Sequence, residues 1–429
     1  MPYYFEINGG KKLSGIIKAG GSKNASFPVL AVTILLSNKV AIDNLPNIED
    51  VKCFLKILKK LGADVKYINS NKVIIDSSNI FNSDVPYILG SKIRGSYYLL
   101  GVLISKFGKA KIPYPGGCNI GNRPMDLHIK SLEKLGVKFN INDKTISGLL
   151  INTGKKKAEI KLPFPSRGAT INIILASVLR EGKIVKIINA NYSPETNCLI
   201  NFLVEAGANI KRQGDNIVIR GVGRLKIDKF SIIPDKVEVA TLLCAGLITG
   251  GKVTVKDVNI DELKPFLSKL SEIGIKVNIK NKSVTTILSN DLKSVKVVSG
   301  LKSPRIDADF EPILTSLLCT IKGKSVIEDK INPERHSKFI PQLNKMGARI
   351  KMVNDTKAII DGGIKFKPAD VTSNDIRGGA SLILAALAAE GKSKIRNVFQ
   401  IDRGYENIEK KLQSLNANIE RKNTRRHHE

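Results

Sequence analysis

The 429-residue sequence contains no tryptophan and only four histidines, and aromatic residues make up 5% of it. Proteins that bind single-stranded nucleic acid stack bases on aromatic side chains, so this composition argues against such a platform. No apolar run approaches the roughly 18 residues that a membrane-spanning helix needs. The opening stretch MPYYFEINGGKKL lacks the apolar segment of a signal peptide. We therefore expect neither a spanning helix nor a secretory leader.

Cysteine is scarce and scattered. The five cysteines are Cys53, Cys118, Cys198, Cys244 and Cys319, and no Cys-x-x-Cys pair occurs. An odd count without such a pair indicates neither a disulfide framework nor a zinc site. All but Cys118 lie among apolar residues in helix-like segments, which predicts small core side chains. His336, His427 and His428 have no partner pattern, so we predict no metal and no cofactor. A reducing cytoplasm fits this usage.

Acidic residues are in deficit: 39 of them face 69 basic residues, which gives a net charge of +30. Such a charge can indicate nucleic acid binding. The lysines, however, are spread evenly along a chain that is also rich in Asn and Ile, as a lysine-rich coding bias would produce. We therefore expect no nucleic acid partner and favour a third interpretation, a basic cleft that binds a small anionic substrate.

A Leu-x-x-x-Gly/Asn phrase recurs six times at intervals of about 70 residues, longer than the usual solenoid periods. Its fifth residues are Gly62, Gly136, Gly207, Gly274, Gly347 and Asn416. Gly and Asn readily adopt the left-handed conformation that ends a helix. Each phrase therefore predicts a helix C-terminus that turns into a strand.

A run of small and aliphatic residues precedes each phrase by about 30 residues. The six runs are 24–39, 94–109, 168–183, 238–252, 310–324 and 378–392. They are apolar nearly all round, which is typical of buried helices. Short β-rich runs such as 72–78 and 183–189 lie between the helices. The pattern predicts an α/β fold of six repeats, and the lack of a Gly-x-Gly-x-x-Gly after a strand disfavours a doubly wound dinucleotide fold.

Polar and often charged residues begin the six apolar runs. They are Lys23 and Asn24, Arg94 to Ser96, Ser166 to Gly168, Asp235 and Lys236, Asp307 and Asp309, and Asp375 with Arg377 and Gly378. A helix N-terminus presents free N–H groups and a positive dipole end, which bind phosphate or carboxylate. Ordinary caps and helix-end ion pairs are the alternative. The repetition, with basic residues at several starts, favours an anion site.

The segment PGGCNIGNRPMDLH (115–128) is unlike a core segment, because it combines three glycines and two prolines with Cys118 and Arg123. A thiol beside basic residues can become acidic enough to donate a proton or form a covalent adduct. A loop cysteine without a catalytic role is the alternative. Asp126 could cap the helix that follows, and His128 could join a hydrogen-bond network or simply begin that helix.

Four stretches together resemble the UDP-N-acetylglucosamine enolpyruvyl transferase family. They are GGSKNASFPVLA (20–31), GGCNIGNRPMDLHIKSLEKLG (116–136), RGATINIILASVL (167–179) and IDRGYENIEKKL (401–412). The resemblance covers essentially the whole chain, and the cysteine loop is its most specific element. It implies a two-domain inverse α/β barrel with three repeats per domain. The first domain would hold 1–22 and 233–429, the second 23–232 with the Cys118 loop, and the active site would lie in the cleft.

The resemblance also implies an enzyme, a transferase that moves the enolpyruvyl group of phosphoenolpyruvate to the 3-hydroxyl of UDP-N-acetylglucosamine. This is the first committed step of peptidoglycan synthesis. The cysteine loop would close as a lid, and fosfomycin would be an inhibitor. The implied catalytic residues are Cys118, Asp309, Lys23, Arg403 and Asp375. The implied substrate-binding residues are Lys23, Asn24, Arg94, Arg123, Pro124, Met125, Asp126, Leu127, Ser166, Arg167, Asp309, Ile331, Arg335, Arg377 and Arg403.

Some positions depart from that family's pattern. The departures are Ser22, Arg167, Ser193, Lys236 and the run 303–312. The run 303–312 contains two carboxylates, Asp307 and Asp309, either of which could meet the sugar hydroxyl, and the register favours Asp309. Two alternatives therefore stay open: a paralogue with a different acceptor sugar, and a non-catalytic anion-binding homologue.

Overall fold

The computed structural model describes residues 3–117, 120–121, 124–151, 156–300 and 305–423. Cys118, Arg123, His427 and His428 lie outside these ranges. The helices are α1 (Lys23–Val32), α2 (Glu49–Leu61), α3 (Tyr87–Gly90), α4 (Tyr98–Phe107), α5 (Asp126–Glu133), α6 (Arg167–Ser177), α7 (Pro194–Glu205), α8 (Lys236–Ile248), α9 (Ile260–Ile273), α10 (Glu311–Thr320), α11 (His336–Lys345), α12 (Ile376–Ala388), α13 (Phe399–Asp402) and α14 (Ile408–Gln413).

The strands of the described ranges are short. They are β1 (Tyr3–Gly9), β2 (Ser14–Lys18), β3 (Val40–Asp43), β4 (Asp64–Asn69), β5 (Lys72–Asp76), β6 (Lys109–Pro113), β7 (Val137–Ile141), β8 (Thr145–Leu150), β9 (Lys157–Lys161), β10 (Ile184–Ile188), β11 (Asn209–Gln213), β12 (Asn216–Arg220), β13 (Lys229–Ser231), β14 (Lys252–Lys256), β15 (Lys276–Lys280), β16 (Ser283–Ile287), β17 (Lys296–Ser299), β18 (Lys324–Asp329), β19 (Ile350–Asn354), β20 (Lys357–Asp361), β21 (Asp370–Thr372), β22 (Gly391–Arg396) and β23 (Ile419–Asn423).

The described residues form two compact units. The first unit holds residues up to Gly20, the pair Ile120 and Gly121, and those from Pro234 onward; the second holds the others, from Gly21 to Ile233. The domains inferred from the sequence, with boundaries after residues 22 and 232, remain a prediction, because compactness alone does not define an independently folding domain.

Each unit contains three small sheets. In the first unit their strand orders are β21-β22-β1-β23, β15-β16-β14-β2 and β17-β18-β20-β19; in the second they are β13-β3-β5-β4, β11-β12-β10-β9 and β6-β8-β7. In five sheets the strand after the buried helix has one parallel and one antiparallel neighbour. In the sixth, the parallel neighbour is reduced to a bridge between Asp84 and Lys111. The mixed α/β fold expected from the sequence is confirmed.

The six apolar runs form the cores. In the first unit α8, α10 and α12 pack against one another, and in the second α4 packs against α1 and α6. In α8 every residue is buried, including Lys236 and Glu238 near its start. Full burial of one Leu, Ile or Phe side chain contributes about 1.5–3 kcal/mol. The prediction of buried helices is therefore confirmed.

The second helix of each repeat ends as predicted. The residues after these helices have positive φ angles: Gly62 113°, Gly136 90°, Gly207 100°, Gly274 97°, Gly347 89° and Asn416 75°. Most side chains are strained in this conformation, whereas Gly has no Cβ and the short polar side chain of Asn can hydrogen-bond locally, which is why Gly or Asn recurs here. A strand follows each turn and returns the chain to its sheet.

The four described cysteines are not paired in disulfides. Cys198, Cys244 and Cys319 are buried, and Cys53 is half-buried. Burial raises the pKa of the Cys319 thiol to about 12, and it also raises the pKa of Cys244. Cys198, Cys244 and Cys319 are therefore core residues, as predicted, whereas Cys53 lies at the edge of the core. None of the described helices is both long and apolar enough to cross a membrane.

Candidate active site

The polar residues predicted at helix starts lie there. Lys23, Arg167 and Lys236 are the first residues of α1, α6 and α8. Arg94 begins a short 3-10 helix that leads directly into α4. Asp375 caps α12. Each unit therefore carries charged side chains at the N-terminal ends of its buried helices, where the helix dipole favours anions.

In the first unit, four charged side chains meet beside the starts of α10 and α12. Arg335 Nη2 donates a hydrogen bond to Asp309 Oδ1 at 2.9 Å, and Nη1 donates to the backbone carbonyl before Asp309 at 2.7 Å. Arg377 Nε lies 3.5 Å from Asp309 Oδ2. Arg335 Nε lies 3.7 Å from Asp375 Oδ1. Asp309 is thus held between two guanidinium groups, and its side chain keeps 21% exposure.

Both guanidinium groups stay charged although they are buried. Burial alone would lower the pKa of Arg335, but Asp309 and Asp375 outweigh it and raise that pKa. Burial opposes the charge of Arg377 too, yet Tyr405 and Asp309 raise its pKa overall. Arg377 Nη1 has no hydrogen-bond partner within the described ranges. Because an unpaired buried donor is costly, a bound anion would stabilise it.

Asp375 fixes the start of α12. Its Oδ1 accepts hydrogen bonds from the backbone N–H groups of Arg377 at 3.0 Å and Gly378 at 3.1 Å. A Cβ at Gly378 would lie 2.4 Å from Asp375 Oδ2, so this close approach requires glycine. In the part of the chain that the structure describes, Asp375 Oδ2 has no hydrogen-bond partner.

The two carboxylates of the 303–312 run have different partners. Lys236 Nζ lies 2.8 Å from Asp307 Oδ2, whereas Asp309 is held by the two arginines. Arg403 follows α13 and is buried, and its Nη1 donates to Gln400 Oε1 at 3.0 Å. Ile331 lies in the turn after β18 with 40% of its surface exposed.

In the second unit, Lys23 is held rigidly. Its Nζ lies 2.8 Å from Asp50 Oδ2, and both side chains are buried. Breaking such a pair by removing one partner costs about 3–5 kcal/mol. Ser22 caps α1 by accepting a hydrogen bond from the N–H of Ala25 at 3.3 Å. Asn24, the next residue of the helix, is half-buried.

Arg94 belongs to a contact chain that reaches α6. Its guanidinium lies 5.5 Å from the ring centre of Tyr97, and that ring lies 4.8 Å from the ring of His128. His128 Nδ1 is 2.8 Å from the side-chain nitrogen of Asn172. Burial, with Arg94 adding to it, lowers the pKa of His128 to about 3, so this histidine is neutral. His128 therefore takes part in a hydrogen-bond network and also lies in the first turn of α5, so the structure does not decide between the two alternatives.

Arg167 is half-exposed and forms an ion pair, with its Nη1 3.3 Å from Glu195 Oε2. Ser166 caps α6 by accepting a hydrogen bond from the N–H of Ala169 at 3.4 Å.

Residues 124–127 lead into and begin α5. Pro124 and Asp126 are exposed, Met125 is buried and Leu127 is half-buried. Met125 occupies the capping position without a side-chain capping hydrogen bond, and Asp126 is the first helical residue. The capping alternative for Asp126 is therefore wrong.

Sequence reasoning missed three buried polar residues behind Arg335. Glu311 and Asp329 are fully buried, and His336 is 1% exposed. No spacing pattern links them, because each is a single polar residue in a separate element. No three His, Cys, Asp or Glu side chains of the described residues form a group that could hold a metal.

Comparisons with known proteins identify the family of this chain. The family model of EPSP synthase (3-phosphoshikimate 1-carboxyvinyltransferase) matches residues 7–412. A UDP-N-acetylglucosamine 1-carboxyvinyltransferase of Campylobacter hominis is 37% identical over 97% of this chain and 99% of its own length. UDP-N-acetylglucosamine 1-carboxyvinyltransferase 2 of Clostridium acetobutylicum is 41% identical over 97% of this chain and 98% of its own length.

Two solved structures share the fold. The enolpyruvyl transferase NikO from Streptomyces tendae superposes with a TM-score of 0.87 at 24% identity, covering 98% of this chain and 99% of that one. EPSP synthase from Acinetobacter baumannii superposes with a TM-score of 0.76 at 18% identity, covering 98% and 100%.

Proposed function

The chain belongs to the EPSP synthase family, and we propose that it transfers the enolpyruvyl group of phosphoenolpyruvate to the 3-hydroxyl of UDP-N-acetylglucosamine, releasing phosphate. One observation carries the choice of acceptor. Relatives that are named UDP-N-acetylglucosamine 1-carboxyvinyltransferase are 37% and 41% identical over 97% of this chain. The reaction would be the first committed step of peptidoglycan synthesis, and we place it in the cytoplasm.

The chemistry requires cations, a base and an acid. The sugar hydroxyl oxygen adds to C2 of phosphoenolpyruvate while C3 gains a proton. Loss of a proton from C3 then expels phosphate and restores the double bond. Phosphoenolpyruvate carries phosphate and carboxylate, and Arg binds such groups through two parallel hydrogen bonds. Base and acid must act on opposite partners.

The first unit supplies the proposed base. Asp309 accepts the proton of the sugar hydroxyl, while the contacts with Arg335 and Arg377 hold its side chain in place. Its partial exposure leaves room for a substrate, which the buried Asp375 lacks. Asp375 orients Arg377 through the backbone of α12 and is the second carboxylate for proton transfer. Arg403 and Arg377 bind phosphoenolpyruvate.

The second unit supplies further anion contacts. Lys23, held by Asp50, meets the phosphate of phosphoenolpyruvate. Arg94 and residues 124–127 bind the UDP-sugar, and Arg123 binds phosphoenolpyruvate. Cys118 donates the proton to C3, or forms a covalent adduct. For the fold, we propose an inverse α/β barrel of three repeats in each domain, supported by the three sheets and three buried helices of each unit.

A related acceptor sugar is the second candidate. Two ion pairs involve positions that depart from the family's pattern: Arg167 with Glu195 and Lys236 with Asp307. Such changes can alter which sugar is accepted while the phosphoenolpyruvate contacts are kept.

Phosphate release from phosphoenolpyruvate, measured with a panel of acceptors, tests the proposal. We expect release with UDP-N-acetylglucosamine and little with shikimate 3-phosphate or other UDP-sugars. Faster release with another UDP-sugar would favour the second candidate. No release with any acceptor would favour an anion-binding homologue without catalysis.

A further inference from the structure

Behind Asp309 and Arg335 lies a buried group of polar side chains that the proposed chemistry does not use. His336 Nε2 lies 3.4 Å from Glu311 Oε1. Glu311 Oε2, Asp329 Oδ2 and both ring nitrogens of His336 have no hydrogen-bond partner among the described residues. Buried polar atoms without partners are rare, and each one calls for an explanation.

These residues join the same two segments that the proposed base joins. Asp309 and Glu311 lie two residues apart at the start of α10, and Arg335 and His336 are consecutive at the start of α11. The first contact between the segments is Arg335 to Asp309 at 2.9 Å, and the second is His336 to Glu311 at 3.4 Å. We call these two contacts the double clamp. Two contacts fix the relative position of the segments more firmly than one.

Asp329 fixes the approach to the clamp. Its Oδ1 accepts hydrogen bonds from the N–H groups of Ile331 at 2.8 Å and Asn332 at 3.0 Å. The N–H of Arg335 in turn donates to the carbonyl of Asn332 at 3.0 Å. The backbone before Arg335 is therefore shaped by Asp329, and the side chain after it is held by Glu311.

We infer that the pair Glu311–His336 is a positioning pair, which sets α11 against α10 so that Arg335 meets Asp309 in the geometry needed for proton removal from the acceptor. This inference rests on the proposed function. Glu311 and His336 touch no substrate in it; they act through Arg335. The pair is strongest when His336 is protonated, because then opposite charges face each other in a buried site.

The groups that face His336 decide its charge. Burial lowers the pKa of His336, but the contact with Glu311, aided by Asp329, raises it overall against the opposing charge of Arg335. The ring of Phe339 also packs near, with ring centres 6.1 Å apart. The imidazolium is therefore present in acid and is lost as pH rises through its raised pKa. The clamp should loosen in the same range.

The test compares a broken pair with a neutral one. His336→Leu removes the contact, whereas the double variant Glu311→Gln, His336→Gln replaces it with two amides that can hydrogen-bond at any pH. We expect kcat/KM for UDP-N-acetylglucosamine to fall about tenfold in His336→Leu, a coupling of ordinary size for contacting residues. In the double variant, kcat/KM should stay within about threefold of wild type. The fall in activity that accompanies deprotonation of His336 at high pH should be absent from this variant.

Two controls separate the outcomes. Glu409→Gln removes another buried carboxylate of the same unit, paired with Arg421 at 2.9 Å, and should leave the pH profile unchanged. The wild type must first show enolpyruvyl transfer; without it the proposed function fails. If the wild type is active but both His336 variants keep its kcat/KM and its pH profile, the positioning role is refuted. A stability loss with unchanged kinetics would likewise refute it, since that result indicates structure alone.

Discussion

Replacement of Asp309 by asparagine tests whether Asp309, rather than the nearby Asp307, is the base. The amide side chain would keep the size of the carboxylate and could still accept a hydrogen bond from Arg335, but it could not take up a proton. A positioned general base contributes roughly 10²- to 10⁴-fold to a rate. We therefore expect kcat of Asp309→Asn to fall by about that factor, with KM for phosphoenolpyruvate changed little.

The structure also sets the stability cost of this change. Asp309→Asn weakens a charge-assisted hydrogen bond of 2.9 Å, a loss of about 1.5–3 kcal/mol. Arg335 keeps its bond to the backbone carbonyl at 2.7 Å and its ion-pair contact with Asp375 at 3.7 Å. A domain stable by about 5–15 kcal/mol therefore stays folded. Thermal unfolding of the variant should confirm this before its kinetics are interpreted.

Asp307→Asn is the matched control, since Asp307 lies two residues away and pairs with Lys236 at 2.8 Å. We expect kcat of this variant to stay within about tenfold of wild type, because in the proposed chemistry Asp307 takes up no proton and Asp309 keeps both of its arginine partners. Phosphate release at saturating substrates measures both variants. A larger loss in Asp307→Asn than in Asp309→Asn would refute the assignment and move the base to Asp307.

Three other results are expected. Arg403→Ala should raise the Kd for phosphoenolpyruvate about 10- to 150-fold and leave the UDP-sugar almost unaffected, while equal losses would indicate a structural role. Fosfomycin should alkylate Cys118 faster when UDP-N-acetylglucosamine is present; Cys118→Asp should abolish the adduct yet keep turnover, and peptide mapping to the buried Cys244 instead would contradict the site. Burial lowers the pKa of His336, but the contact with Glu311 opposes this and the pKa is raised overall. The pair therefore stabilises the fold below about pH 6.5, and this stabilisation is lost as pH rises through the folded-state pKa. Over that rise the urea midpoint should therefore fall more in wild type than in His336→Gln.

The repeats could be predicted from sequence because their signals are local. A left-handed helix end depends on one residue and its neighbours. The conformation of Gly62 and of Asn416 could therefore be predicted without any knowledge of the fold. Burial of α8 follows in the same way from a run that has no polar side. The charged helix starts were predictable because their signal is also local: a capping residue lies directly before the apolar run of its helix.

The partners of those charged residues were not predictable. Arg335 meets Asp309 across 26 positions of sequence, and His336 meets Glu311 across 25. Nothing in either segment alone marks the other, and one histidine beside an arginine has no periodicity. Only the tertiary fold, in which α11 packs against α12 and α12 packs against α10, brings these side chains together. The sequence therefore indicated which residues are charged but not which of them are neutralised.

That distinction matters for the departures from the family's pattern. Arg167 and Lys236 add no free positive charge, because Glu195 and Asp307 lie 3.3 Å and 2.8 Å from them. A change at Lys236 alone would remove the lysine that Asp307 faces, and so would alter two charges at once. The role of either residue in choosing an acceptor is measurable only when both members of the pair are exchanged together, with the single variants alongside to give their coupling.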